Sequence, residues 1–212
     1  MLQKLRIKVC GLTRQEDVDC ASELGVDFCG FIFHPKSPRY ITPQHAAGLH
    51  SGTMRRVGVF VNHDVNEIRE IMDIAHLDFA QLHGRQSIET ATQIGAERII
   101  RVLWPQRYCH RAMLYSDLQR HAPSCSMFLF DAGQQGGGSG KKFDWECVAG
   151  LSSPRPWLLA GGLGPHNLIP AVKLMRPDGV DLNSGIESEP GKKNVQTMRE
   201  TVNRAKEHFL QY

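Results

Sequence analysis

The chain has 212 residues, enough for one large domain, and its 41% apolar content can bury a sizeable core without metal or disulfide staples. A formal net charge of +3 with dispersed signs makes no basic stripe, which argues against nucleic acid and anionic membrane surfaces as partners. No run reaches the roughly 18 apolar residues of a spanning helix, and Met1-Leu2-Gln3-Lys4 leads straight into a strand pattern, so neither a membrane span nor a signal peptide is expected.

Short apolar, β-branched runs fall in order at Leu5–Cys10, Phe28–Phe33, Arg56–Val61, Phe79–His83, Ile99–Trp104, Met127–Asp131, Trp157–Ala160 and Gly179–Leu182. Helical signals separate them. Thr13-x-x-Glu16 reads as a capping box, followed by Val18, Ala21 and Leu24, with Gly25 as the stop. Thr42-Pro43 offers an N-cap and a proline at the first helical position. Val65, Ile68, Met72 and Ala75 repeat at helical spacing, as do Val195, Met198, Val202, Ala205 and Phe209. The sixth connection, Asp144 to Leu151, leaves room for only a short helix.

Continuously apolar strands alternating with helices describe a parallel sheet buried on both faces. No GxGxxG follows the first strand as a dinucleotide site requires, and eight units favour closure. The expected fold is α/β: one (β/α)8 TIM barrel spanning residues 1–212, with its active site at the C-terminal strand ends.

Those ends carry chemistry. The first strand ends Val9-Cys10-Gly11; the second leads to Arg39; the fourth ends Leu82-His83-Gly84; the sixth ends at Asp131. A lone Cys at such a place is more often a small buried hydrophobe, and an Asp there is as often only a cap. The glycine-rich stretch Gly133–Gly140 reads as a loop over the barrel mouth, since βα alternation continues on both sides of it. Gly161-Gly162 after strand seven and Ser184-Gly185 after strand eight are more specific. Barrels bind phosphate at these two loops, where glycine lets backbone N–H groups approach an anion. A small phosphorylated substrate is therefore expected.

The six cysteines form no CxxC pair and read as free thiols in a reducing, cytoplasmic compartment. The ten histidines include no HExxH, and no metal site is expected.

Several ordered stretches carry a family signature: Lys8-Val9-Cys10-Gly11-Leu12-Thr13, Gly30-Phe31-Ile32-Phe33, Lys36-Ser37-Pro38-Arg39-Tyr40 and Gly58-Val59-Phe60-Val61-Asn62. They continue with Gln81-Leu82-His83-Gly84, Gly137-Gly138-Ser139-Gly140-Lys141, Phe143-Asp144-Trp145 and Leu159-Ala160-Gly161-Gly162-Leu163. Val180-Asp181, Ser184-Gly185-Ile186-Glu187 and Pro190-Gly191-Lys192-Lys193 complete the set. Nearly end to end, the chain resembles the phosphoribosylanthranilate isomerases of tryptophan biosynthesis.

The resemblance implies an aldose–ketose isomerase, an intramolecular oxidoreductase. Its reaction is the Amadori rearrangement of N-(5-phosphoribosyl)anthranilate to 1-(2-carboxyphenylamino)-1-deoxyribulose 5-phosphate. It further implies Cys10 as general base, Asp131 as general acid and Arg39 on the anthranilate carboxylate, with the loops of Gly161, Gly162, Ser184 and Gly185 on the phosphate. Asp181 is a candidate for a substrate hydroxyl and His83 for a structural or substrate-positioning role. Asn183 stands where the family usually has Ser, and Lys142 where Thr is common.

The chemistry is compatible with this set. A proton on the furanose oxygen opens the ring to an iminium at C1, which acidifies the C2 proton; its removal gives an enolamine that tautomerises to the ketone. One acid and one base suffice, and no cofactor is expected. Each group must be tuned, since a free Cys is a few per cent thiolate near neutrality and an ordinary Asp almost fully ionised. The apolar run Met127–Phe130 suggests burial around Asp131.

Rival readings remain at this level. A pentulose-phosphate epimerase would call for paired Asp with metal-binding His, and an indole-3-glycerol phosphate synthase for catalytic Lys and Glu at strand ends; neither set stands out. A non-catalytic anion-binding barrel would need no base. A monofunctional chain is expected, as a monomer or homodimer.

Overall fold

Strands that are apolar on both faces have no solvent side, so such runs are satisfied inside a wall covered by helices. The computed structural model describes residues 5–132 and 150–210. Its strands are β1 (Arg6–Val9), β2 (Phe28–Ile32), β3 (Arg55–Phe60), β4 (Phe79–Leu82), β5 (Ile99–Leu103), β6 (Met127–Asp131), β7 (Trp157–Ala160) and β8 (Gly179–Leu182). All eight run parallel in chain order and close into a barrel, with β1 paired to β8 from Arg6↔Gly179 to Val9↔Leu182.

The expected runs overshoot five strands by one residue, at Cys10, Phe33, Val61, His83 and Trp104. These residues stand just past the ladder, where the chain turns outward over the rim. Three of them still donate a backbone N–H to a neighbouring strand: Cys10 to Leu182 O at 2.8 Å, Phe33 to Val59 O at 3.2 Å and His83 to Phe60 O at 2.8 Å. Their backbones are therefore held as firmly as the strands.

Outside lie α1 (Gln15–Glu23), α2 (Pro43–Gly48), α3 (Val65–Ile74), α4 (Ile88–Ile94), α5 (Arg111–His121), α6 (Leu168–Met175) and α7 (Val195–Leu210). Thr42 caps α2 as expected, accepting from the His45 N–H at 3.2 Å. The Thr13 box does not form. Arg14 occupies the N-cap of α1, and the Thr13 hydroxyl instead donates to Gly191 O at 2.9 Å, a partner distant in sequence. A reciprocal box forms at Asp64 and Glu67, opening α3. The loop expected over Gly133–Gly140, and the helix expected from Asp144 apart from Gly150 and Leu151, fall outside the described residues.

Period-two alternation divides the apolar residues between two packed bodies. Phe28, Val57, Phe79, Ile100, Leu129 and Leu158 fill the barrel lumen. Ile7, Val9, Phe31, Phe128 and Phe130 face outward and pack with the helices, including Met198 and Val202 of α7. Beyond β8 the chain forms a hairpin that the sequence reading did not foresee, β9 (Glu187–Glu189) against β10 (Lys192–Lys193).

Candidate active site

The alternation that fills the lumen also sets the rim. Two residues apart on a strand means the same face, so Lys8 and Cys10, Gln81 and His83, Leu129 and Asp131, and Asp181 and Asn183 rise in pairs from the floor. All of these except the fully buried Lys8 line a cavity of about 740 Å³ at the C-terminal strand ends, which Arg39, Gly161, Gly162 and Ser184 also border. Eight of the nine residues nominated from sequence line this one cavity. Gly185, the ninth, packs against the β7 loop beside it. A second cavity of about 450 Å³ opens on the flank between α4 and α5 and is bordered by none of the nine.

Cys10 is only 3% exposed, at the end of β1. Burial pushes its thiol above the usual range, and the ammonium groups of Lys8 and Lys193 pull against that rise. Lys8 is completely buried, and its Nζ donates to both carboxylate oxygens of Asp181 at 2.9 and 3.0 Å. Burial opposes the Lys8 charge, yet Asp181 and Cys10 outweigh it and hold the ammonium above the ordinary lysine value.

Across the mouth, Asp131 tops β6. The apolar run lies beneath it, but its side chain keeps 20% of its exposure, so the expected burial is incomplete. Its carboxylate lies 3.6 Å from His83 Nε2. Burial, aided by the positive charge of Lys8, pushes His83 down to about 4, so the imidazole is neutral near pH 7. It stands edge-on to Trp104, with ring centroids 5.2 Å apart. A neutral neighbour does not favour the ionised carboxylate as a cation would.

Arg39 reaches over the mouth from the loop after β2. Its Nε and Nη2 donate to Glu187 of the β9 hairpin, and Lys193 Nζ donates to the same carboxylate at 2.9 Å. Burial works to raise the Glu187 carboxyl, but its two cationic partners hold it below the ordinary range. Lys193 also donates to Asn183 Oδ1 at 2.8 Å. Asn183, the departure from the family pattern, therefore serves as an acceptor for a buried lysine.

The β7 and β8 loops pack backbone against backbone. A Cβ on Gly185 would sit 2.1 Å from Leu163 O, and one on Gly164 would sit 2.5 Å from Gly185 O. Only glycine permits this approach. Gly161 and Gly162 have φ of 123° and 67°, and a Cβ on Gly162 would meet nothing within 4 Å. The open side of that turn belongs to the cavity.

Beyond the nine nominated residues, the site holds Lys8, Gln81, Glu187 and Lys193. Lysine inside an apolar strand was a visible signal for Lys8. Gln81 is 2% exposed on the cavity wall, and its Oε1 has no hydrogen-bond partner among the described residues. Glu187 and Lys193 acquire their roles only through the hairpin.

The family described as N-(5'-phosphoribosyl)anthranilate (PRA) isomerase matches residues 7–204. The chain belongs to the N-(5'-phosphoribosyl)anthranilate isomerase family. An isomerase of that name from Desulfovibrio desulfuricans is 59% identical over 192 residues, covering 91% of each chain. One from Maridesulfovibrio salexigens is 48% identical over 189 residues, covering 89% of this chain and 92% of the relative. Among solved structures, phosphoribosyl anthranilate isomerase from Thermotoga maritima superposes with a TM-score of 0.83 at 33% identity, covering 96% of this chain and 99% of that one. Another isomerase structure, in complex with reduced 1-(o-carboxyphenylamino)-1-deoxyribulose 5-phosphate, gives 0.79 at 33% identity over the same shares. All nine nominated residues fall within the span that matches the isomerase family.

Proposed function

We propose that this chain catalyses the Amadori rearrangement of N-(5'-phosphoribosyl)anthranilate in tryptophan biosynthesis, with Cys10 as general base and Asp131 as general acid. The observation that carries the reading is that Cys10 and Asp131 open onto one cavity whose wall is completed by Arg39 and the β7 and β8 glycine turns. A relative bound to a reduced form of the product supports it.

Asp131 gives a proton to the furanose oxygen as the C1–O bond breaks, and the anthranilate nitrogen closes the iminium. Cys10 then takes the C2 proton, and the C–H electrons form the C1–C2 double bond of the enolamine. Ketonisation adds a proton at C1 and releases the enol hydroxyl proton, which restores both groups. His83, neutral, positions Asp131 and the substrate rather than carrying a proton.

Arg39 spends Nε and Nη2 on Glu187, leaving Nη1 for the anthranilate carboxylate among its five N–H donors. The N–H groups of the turns at Gly161, Gly162, Ser184 and Gly185 receive the phosphate, and Asp181 accepts from a substrate hydroxyl beside its bond to Lys8. Five cysteines that are free among the described residues suit a reducing, cytoplasmic setting.

The test uses purified protein and substrate generated in situ from anthranilate and phosphoribosyl pyrophosphate. Anthranilate-type fluorescence should fall with turnover, equally with and without EDTA. No turnover, or its abolition by EDTA, would refute the isomerase reading as stated.

A further inference from the structure

Lys8 has no place in a purely structural account of β1. A fully buried ammonium is costly, and a well-packed apolar pair in place of a buried ion pair is often neutral or stabilising. What sets this pair apart is its neighbour. Lys8 has three N–H donors; Asp181 receives hydrogen bonds from this ammonium at 2.9 and 3.0 Å, and Cys10 follows two residues later on the same face of β1. Gly30 on β2 shows how tightly these groups meet: a Cβ there would lie 2.8 Å from Cys10 Sγ and 3.1 Å from Lys8 Nζ. Glycine leaves that space to sulfur and ammonium alone.

We propose that Lys8, clamped by Asp181, is the positioning residue of the base: its ammonium orients the Cys10 sulfur and stabilises the thiolate that takes the C2 proton. This rests on the isomerase reading above.

The charges facing Cys10 support it. Lys8 comes from β1, Asp181 from β8, Lys193 and Glu187 from the hairpin, Arg39 from the β2 loop, Asp131 from β6 and His83 from β4. His83 is neutral. Among the described residues, three cations then meet two paired carboxylates, Asp181 and Glu187. One further negative charge balances the cluster, and it has two possible seats, the Cys10 thiolate and the Asp131 carboxylate. In the form that reacts, Cys10 carries it as the thiolate and Asp131 carries the proton to be given to the ring oxygen, while burial holds the resting Cys10 as the thiol. Once Asp131 has protonated the ring oxygen and Cys10 has taken the C2 proton, it sits on the carboxylate. The chemistry moves one charge between two seats around fixed cations, so the total facing them returns to its starting value at the enolamine.

The experiment titrates Cys10 by ultraviolet thiolate absorbance in Lys8→Met, with the matching Cys10→Ala proteins as blanks to remove the other thiols. The expected result is a Cys10 midpoint raised by about one pH unit or more, equivalent to a tenfold smaller thiolate fraction at a fixed pH below it. The acid limb of kcat/KM should move in step, with KM little changed. Lys8→Gln removes the same charge while keeping a polar partner for Asp181, and answers the question where the methionine variant fails to fold. A folded variant of either kind with an unmoved Cys10 midpoint overturns the proposal. The titration needs no substrate, so inactive wild-type protein would count against the isomerase reading separately.

Discussion

Arg39 and Glu187 join the β2 loop to the β9 hairpin through three bonds, Nε to Oε1 at 2.9 Å and to Oε2 at 3.1 Å, and Nη2 to Oε2 at 2.7 Å. The arginine that overhangs the cavity is thereby oriented before any ligand arrives, and the carboxylate that orients it also neutralises buried Lys193. A planar fork held on one edge presents its other edge in a fixed direction, which a flexible ammonium cannot reproduce.

Arg39→Lys should therefore weaken substrate binding more than chemistry. A lost charge-assisted hydrogen bond is worth about 1.5–3 kcal/mol, or roughly a tenfold to hundredfold rise in KM, with kcat within a few fold. Initial-rate kinetics check this; an unchanged KM removes Arg39 from the carboxylate.

Glu187→Gln should act on stability. Lys193 and Glu187 have side-chain exposures of 0% and 4%, so removing the carboxylate strands a buried ammonium. Breaking such a pair costs about 3–5 kcal/mol, visible as a lower urea midpoint. A midpoint within error of wild type would mean that Asn183 alone satisfies Lys193.

How far the sequence revealed this arrangement depends on the range of the interactions. The barrel was legible because each strand announces itself locally, in runs such as Met127–Asp131 that are buried on both sides. The rim was legible for the same reason, since a residue's place at a strand end follows from its run. Thr13 misled because a capping pattern competes with any other acceptor in reach, and Gly191 O won. Glu187 and Lys193 stand in the family signature, but their pairing was not legible because a short charged hairpin has no apolar alternation to betray it. Their partner Arg39 lies 148 residues from Glu187, and only the closed fold joins them.

Gly185→Ala should damage the phosphate site without touching the acid or base. Its Cβ, 2.1 Å from Leu163 O, forces the β7 and β8 loops apart. Inhibition by inorganic phosphate should weaken by more than tenfold, with a parallel rise in KM and a smaller change in kcat. An unaltered inhibition constant for phosphate would place the anion elsewhere.

His83 should make stability pH-dependent. Its folded value of about 4 lies below the ordinary 6.5, so the unfolded chain binds more protons between those values. The stabilising contribution is complete above about pH 6.5 and is lost as pH falls towards 4, amounting to about 2 kcal/mol between pH 7 and pH 5. His83→Gln, which does not titrate, should flatten the unfolding free energy across that interval by about this amount. An equally steep dependence in the variant would show that other groups cause it.

The most direct measurement is kcat and KM for Cys10→Ala and Asp131→Asn, which tests the acid–base pair itself. Both groups act on protons in flight rather than on the bound substrate, so each variant should lose more than about a hundredfold in kcat with KM barely moved. A kcat near wild type in either variant would contradict the role assigned to that residue.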